Sequence, residues 1–359
     1  MIILAKFNKT SECILKGIED GVFPGAVLSV GDKNGETFRM HAGFSALYPE
    51  RVEMTEDTLF DLASVTKIMS TTMVALKLIE GGELGLSDKI NQYFDVPADK
   101  KDINIYNLLT HTAGMPRNAR VEEMAKSPEE IVDAILSLEF TPILSEAAYT
   151  CLGYIVLGKI CELIKGSDLA SLANEMVFKP LGLKNTMYNP IAAKYNVATT
   201  EFKIKYNQYI HGIVHDEKAR FLNGIAGNAG LFSNIEDCSI FAAMLANKGV
   251  AGGKEFINKD LFNESIKNHT GHLSEASESR GFGFVIKDNK PSPAGDIFPI
   301  GSYGHTGFSG TSIWVDIDTS QYIVLLSNRI HPTRENMKIQ EFRTQLHTIC
   351  AKEYRAYIS

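Results

Sequence analysis

Strand-forming runs stand at both ends of this chain, and helical patterns fill the space between them. Near the start, "PGAVLSVGDKNGETFRMHAGFSA" reads as two strands joined at Asp32-Lys33-Asn34-Gly35, with Asn-Gly as the hairpin signal. Near the end, "RGFGFVIK" (280–287), "GTSIWVDID" (310–318) and "QYIVLLSN" (321–328) are rich in β-branched and aromatic residues, and Asp318-Thr319-Ser320 separates the last two as a second hairpin. Helices are expected over 8–22, with Ile14, Leu15 and Ile18 on one side, and over 334–357. From about 61 to 265 helical patterns dominate, broken by the turn-rich "HTAGMPR" and "KPLGLKNTMYNP". The simplest assembly pairs the early hairpin with the late strands in one antiparallel sheet, covers it with the terminal helices and sets a helical insertion on one edge. That is an α+β chain. Its discontinuous sheet domain would be residues 1–60 and 266–359, its mainly helical domain residues 61–265, and its site the cleft between them.

Composition narrows the function. The 359 residues are 44% apolar and 22% charged, with a net charge of −7, which suits a globular chain with a sizeable core. An acidic chain without a Lys/Arg-dense run is a poor nucleic-acid binder, so nucleic acid is not an expected partner. No window approaches the roughly 18 apolar residues of a membrane span, so a membrane is not expected either. The short apolar start is interrupted by Lys6 and lacks the layout of a secretory leader. Cys13, Cys151, Cys161, Cys238 and Cys350 are odd in number, scattered and free of any C-x-x-C pair. They fit free thiols in a reducing compartment, and the expected location is the cytoplasm.

The stretch "FDLASVTKIMSTTMVALKLIEGGELGLSDKI" (60–90) reads as an amphipathic helix that opens on Ser64 and carries Lys67 one turn later. Residues three apart share a helix face. A serine at a helix start sits in the positive end of the dipole, and a lysine partly desolvated there has reason to lose its proton and act as the serine's general base. The ordinary alternative is a cap serine beside a solvated lysine. S-x-x-K is expected by chance roughly once or twice in a chain this long. Here Ser64 is the only serine with a lysine three residues on.

Two further segments carry chemistry. "SEAAYTCLGYIVLGKICELIKG" (145–166) places Tyr149 just before an apolar helix, and "YGHTGFSGTSIWVDID" (303–318) places His305-Thr306-Gly307 at the start of a strand pair. Together with Ser64-Val65-Thr66-Lys67 these segments resemble the serine β-lactamase and penicillin-binding-protein superfamily, and within it the class C β-lactamase-related branch of esterases, D-amino-acid peptidases and amidases. The signature there is S-x-x-K, then Y-x-N or a variant, then K-T-G or H-T-G. The resemblance runs on through "VFPGAVLSVG" (22–31), "LLTHTAGMP" (108–116), "GIAGNAGLFS" (224–233) and "HTGFSGTSIWVD" (305–316), which is nearly the whole chain.

The resemblance implies a β-lactamase/transpeptidase-like fold and a set of roles. Ser64 would be the acylated nucleophile, Lys67 its partner and Tyr149 a second general acid/base. His305, Thr306 and Gly307 would line the opposite wall on an edge strand. The backbone N–H groups of Ser64 and Phe308 would form the oxyanion hole. "VHDE" would lie near the mouth, where His215 and Asp216 would touch substrate. Two positions depart from the pattern. Cys151 stands where an asparagine normally bonds both the lysine and a substrate amide, and a thiol serves neither well. His305 replaces a lysine, and histidine near neutrality is only partly charged. Both changes weaken the case for an efficient β-lactamase.

Other chemistries find little support. G-x-S-x-G, H-E-x-x-H and G-x-G-x-x-G are absent, so no α/β-hydrolase elbow, zincin or dinucleotide site is implied. His211, His215, Asp216 and Glu217 in "HGIVHDEKAR" could form a metal cluster only on a helix, and Gly212 with two β-branched residues argues against one. The expectation is therefore a serine hydrolase working through an acyl-enzyme, without metal or cofactor. Its substrate would be a small ester or amide, or a peptide-like molecule such as a cell-wall fragment. The rival is a low-turnover penicillin-binding or sensing protein of the same fold, favoured by Cys151. The sequence leaves the oligomeric state open.

Overall fold

Helix α1 (Asn8–Glu19) leads into β1 (Gly25–Asp32), and β1 is where the two ends of the chain meet. The structure, a computed structural model, describes residues 7–273 and 278–359; residues 1–6, on which the leader reading partly rests, lie outside them. β1 turns over Lys33-Asn34 into β2 (Gly35–Ala46), with Asp32 opposite Gly35, and the short β3 (Val52–Glu53) follows. The middle of the chain supplies β4 (Phe60–Asp61), α2 (Thr72–Glu80), α3 (Leu152–Lys165), β5 (Met187–Tyr188), α4 (Glu217–Phe221), β6 (Leu231–Ser233) and α5 (Ile235–Ala246). The last part adds β7 (Ser279–Arg280), β8 (Val285–Ile286), β9 (Tyr303–Thr306), β10 (Ser312–Val315), β11 (Tyr322–Ser327) and α6 (Ile339–Ile358).

One eight-stranded antiparallel sheet runs β7-β8-β9-β10-β11-β1-β2-β3. The early hairpin joins the late strands through β1 and β11, with Leu28 opposite Leu325, as the distribution of strand runs required. Successive residues of β1 serve opposite faces. Leu28 and Val30 pack with Phe7, Ile14, Leu346 and Tyr354 beneath α1 and α6, while Val27 joins the larger core that contains Phe241 and Leu245 of α5. Both faces are covered, so the strand is buried almost throughout and carries apolar residues on both faces, with Ser29 buried among them. Helix α5 covers the second face of the sheet although it falls within the 61–265 stretch.

Several elements differ from expectation in ways that shape the site. "RGFGFVIK" is two two-residue strands with a tight turn between them, because Gly283 takes φ +81° and Gly281 N–H bonds back to Phe284 O. His305 and Thr306 close β9 rather than open a strand pair. β9 is third from the sheet's edge, but its ladder to β8 involves only Tyr303 and Gly304 and leaves His305 and Thr306 beyond it. A small sheet, β4-β6-β5, was not expected, because strands of two or three residues carry too little periodicity to read.

Candidate active site

Ser64 does not open an α-helix. It lies in a 3₁₀ turn, Ala63–Val65, followed by a π turn, Lys67–Thr71, before α2 begins. Ala63 has φ +47°, a left-handed conformation uncommon for a residue with a Cβ. Its surroundings hold it there. Asp61 Oδ1 accepts the Ala63 N–H at 2.8 Å, Asp61 Oδ2 accepts the His215 N–H at 2.7 Å, and Leu62 N–H bonds to Leu231 O in β6 at 2.9 Å. From the other wall, Ser309 Oγ donates to Asp61 O and Thr311 Oγ1 to Leu62 O. Strained backbone so over-determined is a recurrent feature of functional sites, as are π turns.

Lys67 is fully buried, and each of its three donors has an acceptor. Nζ lies 3.1 Å from Ser64 Oγ, 3.0 Å from Tyr149 Oη and 3.0 Å from Asn228 O, with Cys151 Sγ at 3.9 Å. Burial works against its charge, yet Cys151, Tyr149 and Asp216 outweigh burial and hold the ammonium above the ordinary lysine value. This corrects the neutral amine expected from sequence: helix-end geometry spoke for deprotonation, and three acceptors with acidic neighbours speak against it.

Tyr149 arrives on an irregular segment ahead of α3. His111, itself at φ +58°, holds that segment: its carbonyl accepts the Ala148 N–H, and its Nδ1 faces the Thr150 N–H at 3.5 Å. Rings surround the phenol, with His111 at 4.9 Å and His305 at 5.8 Å between centroids, and the Arg280 guanidinium lies 4.6 Å above its face.

His305 is buried, with Nδ1 2.7 Å from Thr306 O. Burial first, then the charges of Arg280 and Lys67, push its pKa well below the ordinary value. The partly charged histidine expected from sequence is therefore a neutral one, since the sheet and its cationic neighbours exclude the proton. Thr306 pairs with Ser312, and Gly307 starts the turn to β10. A Cβ on Gly307 would stand 2.1 Å from Thr311 Oγ1 and 2.5 Å from Leu62 O, so only glycine allows this turn to approach the Ser64 turn. Phe308 is 44% exposed, stacks on His215 and carries Arg329 over its ring.

His215 and Asp216 both line the cleft, yet each is also engaged in the protein. His215 Nε2 bonds Glu201 at 2.9 Å, and Asp216 caps α4 through the Ala219 N–H and accepts from Asn228 Nδ2. His211 bonds Thr199 Oγ1. Among the described residues no cluster of three or more His, Cys, Asp or Glu could hold a metal ion. The cleft, about 830 Å³, is also lined by Ser64, Tyr149, Cys151, Phe308 and charges of both signs, among them Arg117, Arg120, Glu122, Lys218 and Arg334. Sequence reading quoted the segments holding His111, Asn228 and Arg280 but gave those residues no role. Nothing in one sequence marks a carbonyl at 228 or a guanidinium at 280 as belonging to Ser64.

A sheet closed by both chain ends, with S-x-x-K facing a tyrosine and an H-T-G turn, defines a serine-hydrolase scaffold of the β-lactamase and penicillin-binding type. The family model described as "Beta-lactamase" matches residues 10–346, and the chain belongs to that family. A relative from Salmonella gallinarum named "Putative D-alanyl-D-alanine carboxypeptidase" is 30% identical over 330 residues, covering 82% of this chain and 75% of its own. Among solved structures, "EstCE1, a hydrolase with promiscuous acyltransferase activity" superposes with TM-score 0.79 at 21% identity over 98% of this chain and 100% of its own. The octameric penicillin-binding protein homologue from Pyrococcus abyssi gives TM-score 0.74 at 19% identity, over 98% and 80%. Both show the fold.

Proposed function

We propose that the protein is an acyl-transferring hydrolase that cleaves a small peptide-like amide through an ester on Ser64. The observation that carries this reading is the contact of one buried ammonium, Lys67 Nζ, with both Ser64 Oγ and Tyr149 Oη. With Tyr149 entering the cycle as its phenolate, Lys67 gives a proton to the Tyr149 oxygen and takes the one on Ser64 Oγ, so one proton moves from serine to the phenolate in net. The Oγ–carbonyl bond then forms, with the oxyanion held by the N–H groups of Ser64 and Phe308. Tyr149 returns the proton to the leaving nitrogen as the C–N bond breaks, and water cleaves the ester by the reverse relay.

Two features support a charged, peptide-like substrate. The cleft wall carries both signs of charge, which suits a molecule with a carboxylate and an amine better than an aliphatic ester. The relatives named for D-alanyl-D-alanine carboxypeptidase activity point to a peptide ending in a D-amino acid. The cytoplasm is the proposed location, because the five cysteines are all unpaired and scattered. No helix among the described residues is long and apolar enough to cross a membrane.

Intact-mass and peptide mapping after a fluorophosphonate tests the mechanism: Ser64 is the only serine labelled, and Ser64→Ala abolishes turnover. A panel of D-alanyl-D-alanine peptides, their L-isomers and p-nitrophenyl esters tests the substrate. Release of the terminal D-residue with no turnover of the L-isomer is expected. Labelling at another serine, or turnover by Ser64→Ala, overturns the reading.

A further inference from the structure

The third motif of this chain lacks its lysine, and the structure shows what stands by Tyr149 instead. His305, in that lysine's position, is buried and neutral. His111, on the other side of the ring, is also buried, and desolvation with the nearby charges of Arg280 and Lys67 pushes it well below the ordinary histidine range. Neither imidazole brings charge to the tyrosine. Arg280, on β7, does. It is 3% exposed, and its guanidinium carbon lies 4.6 Å from the Tyr149 ring centre. Buried against the ring of Tyr149, it acts through Tyr149.

We propose that Arg280 is a positioning residue that supplies, from β7, the second fixed positive charge at Tyr149 that the H-T-G motif does not provide. The proposal rests on the acyl-transfer reading above, in which Tyr149 must carry negative charge before Ser64 can lose its proton. A cation against an aromatic face is attracted to the neutral ring, and more strongly to a phenolate, whose charge spreads into the ring. The charge inventory around Tyr149 is short. Lys67 bonds its hydroxyl from the π turn, with Cys151 Sγ 3.9 Å from that ammonium at the start of α3; His111 and His305 flank it as neutral rings, and Tyr154 of α3 lies beyond His111. Asp216 acts on Lys67 from the mouth. Glu278 pairs with Arg280 Nη2 and, at 41% exposed, is weakened by water but still offsets part of the guanidinium charge, which itself stays dry. Arg280 Nη1 is buried with no hydrogen-bond partner among the described residues.

The test is the pH profile of kcat/KM for p-nitrophenyl acetate in four variants. Arg280→Met is expected to lose at least about tenfold at pH 7 and to move the acidic limb up by about one pH unit, the size of a removed charge a few ångströms away at intermediate dielectric. Arg280→Lys, which keeps the charge, is expected to keep the wild-type limb. Glu278→Gln, which removes the screening partner, is expected to move the limb down. An unmoved limb in folded Arg280→Met overturns the inference, as does Arg280→Lys falling as far as Arg280→Met. Should Arg280→Met fail to fold, an unmoved limb in Glu278→Gln overturns it. Tyr149→Phe separates the two levels. If it is inactive while Arg280→Met keeps the wild-type profile, only this inference fails; if Tyr149→Phe is fully active, the acyl-transfer reading fails first.

Discussion

Lys67 Nζ reaches Ser64 Oγ at 3.1 Å across a change of helix type, from a 3₁₀ turn that holds the serine to a π turn that holds the lysine. The spacing of three is the one an α-helix would offer, but the tighter and wider turns together re-aim the lysine so that it also meets Tyr149, 82 positions on. Oγ, Nζ and Oη thus meet with the lysine at their centre.

That geometry makes Lys67 and Tyr149 one unit. Lys67→Met and Tyr149→Phe should each lower kcat/KM on the order of 10²-fold or more, and the double variant should lose little beyond either single one. Steady-state kinetics of all three check it. Multiplicative losses would mean that the two groups act independently.

Cys151 lines the cleft with Sγ 3.9 Å from Lys67 Nζ, where an amide would reach both the lysine and a substrate carbonyl or N–H. Cys151→Asn should raise the amide-to-ester activity ratio by about tenfold, the value of roughly one good hydrogen bond. An unchanged ratio, together with selective inactivation by iodoacetamide at Cys151, would instead assign the thiol a reactive role.

Buried neutral histidines set an acid limit on stability. Burial holds His111 and His305 well below the usual histidine value, and His347, enclosed against Pro293 O, is lowered to about 3. A group that is harder to protonate folded than unfolded contributes stability above its unfolded pKa, near 6.5, and loses that contribution as pH falls below it. Thermal melts should therefore drop steadily from pH 7 towards pH 4, by up to about 1.4 kcal/mol per pH unit for each histidine. His347→Gln should melt with a shallower pH dependence. A flat melting temperature from pH 7 to pH 5 would contradict the burial argument.

The sequence by itself determined the sheet's plan and which groups meet at the candidate site. Strand-forming runs at both ends, an Asn-Gly turn and a single S-x-x-K are local patterns, and local patterns survive translation into structure: Leu28 opposite Leu325, a two-residue turn before Gly35, Lys67 beside Ser64. What only the tertiary structure decided is the electrostatic state of those groups. Lys67 is held above the ordinary lysine value because Cys151, Tyr149 and Asp216 come from distant segments to outweigh its burial, and His305 is neutral because the fold buries it beside Arg280 and Lys67. Protonation depends on burial and on charges brought close by folding, and neither is written in the spacing of a motif.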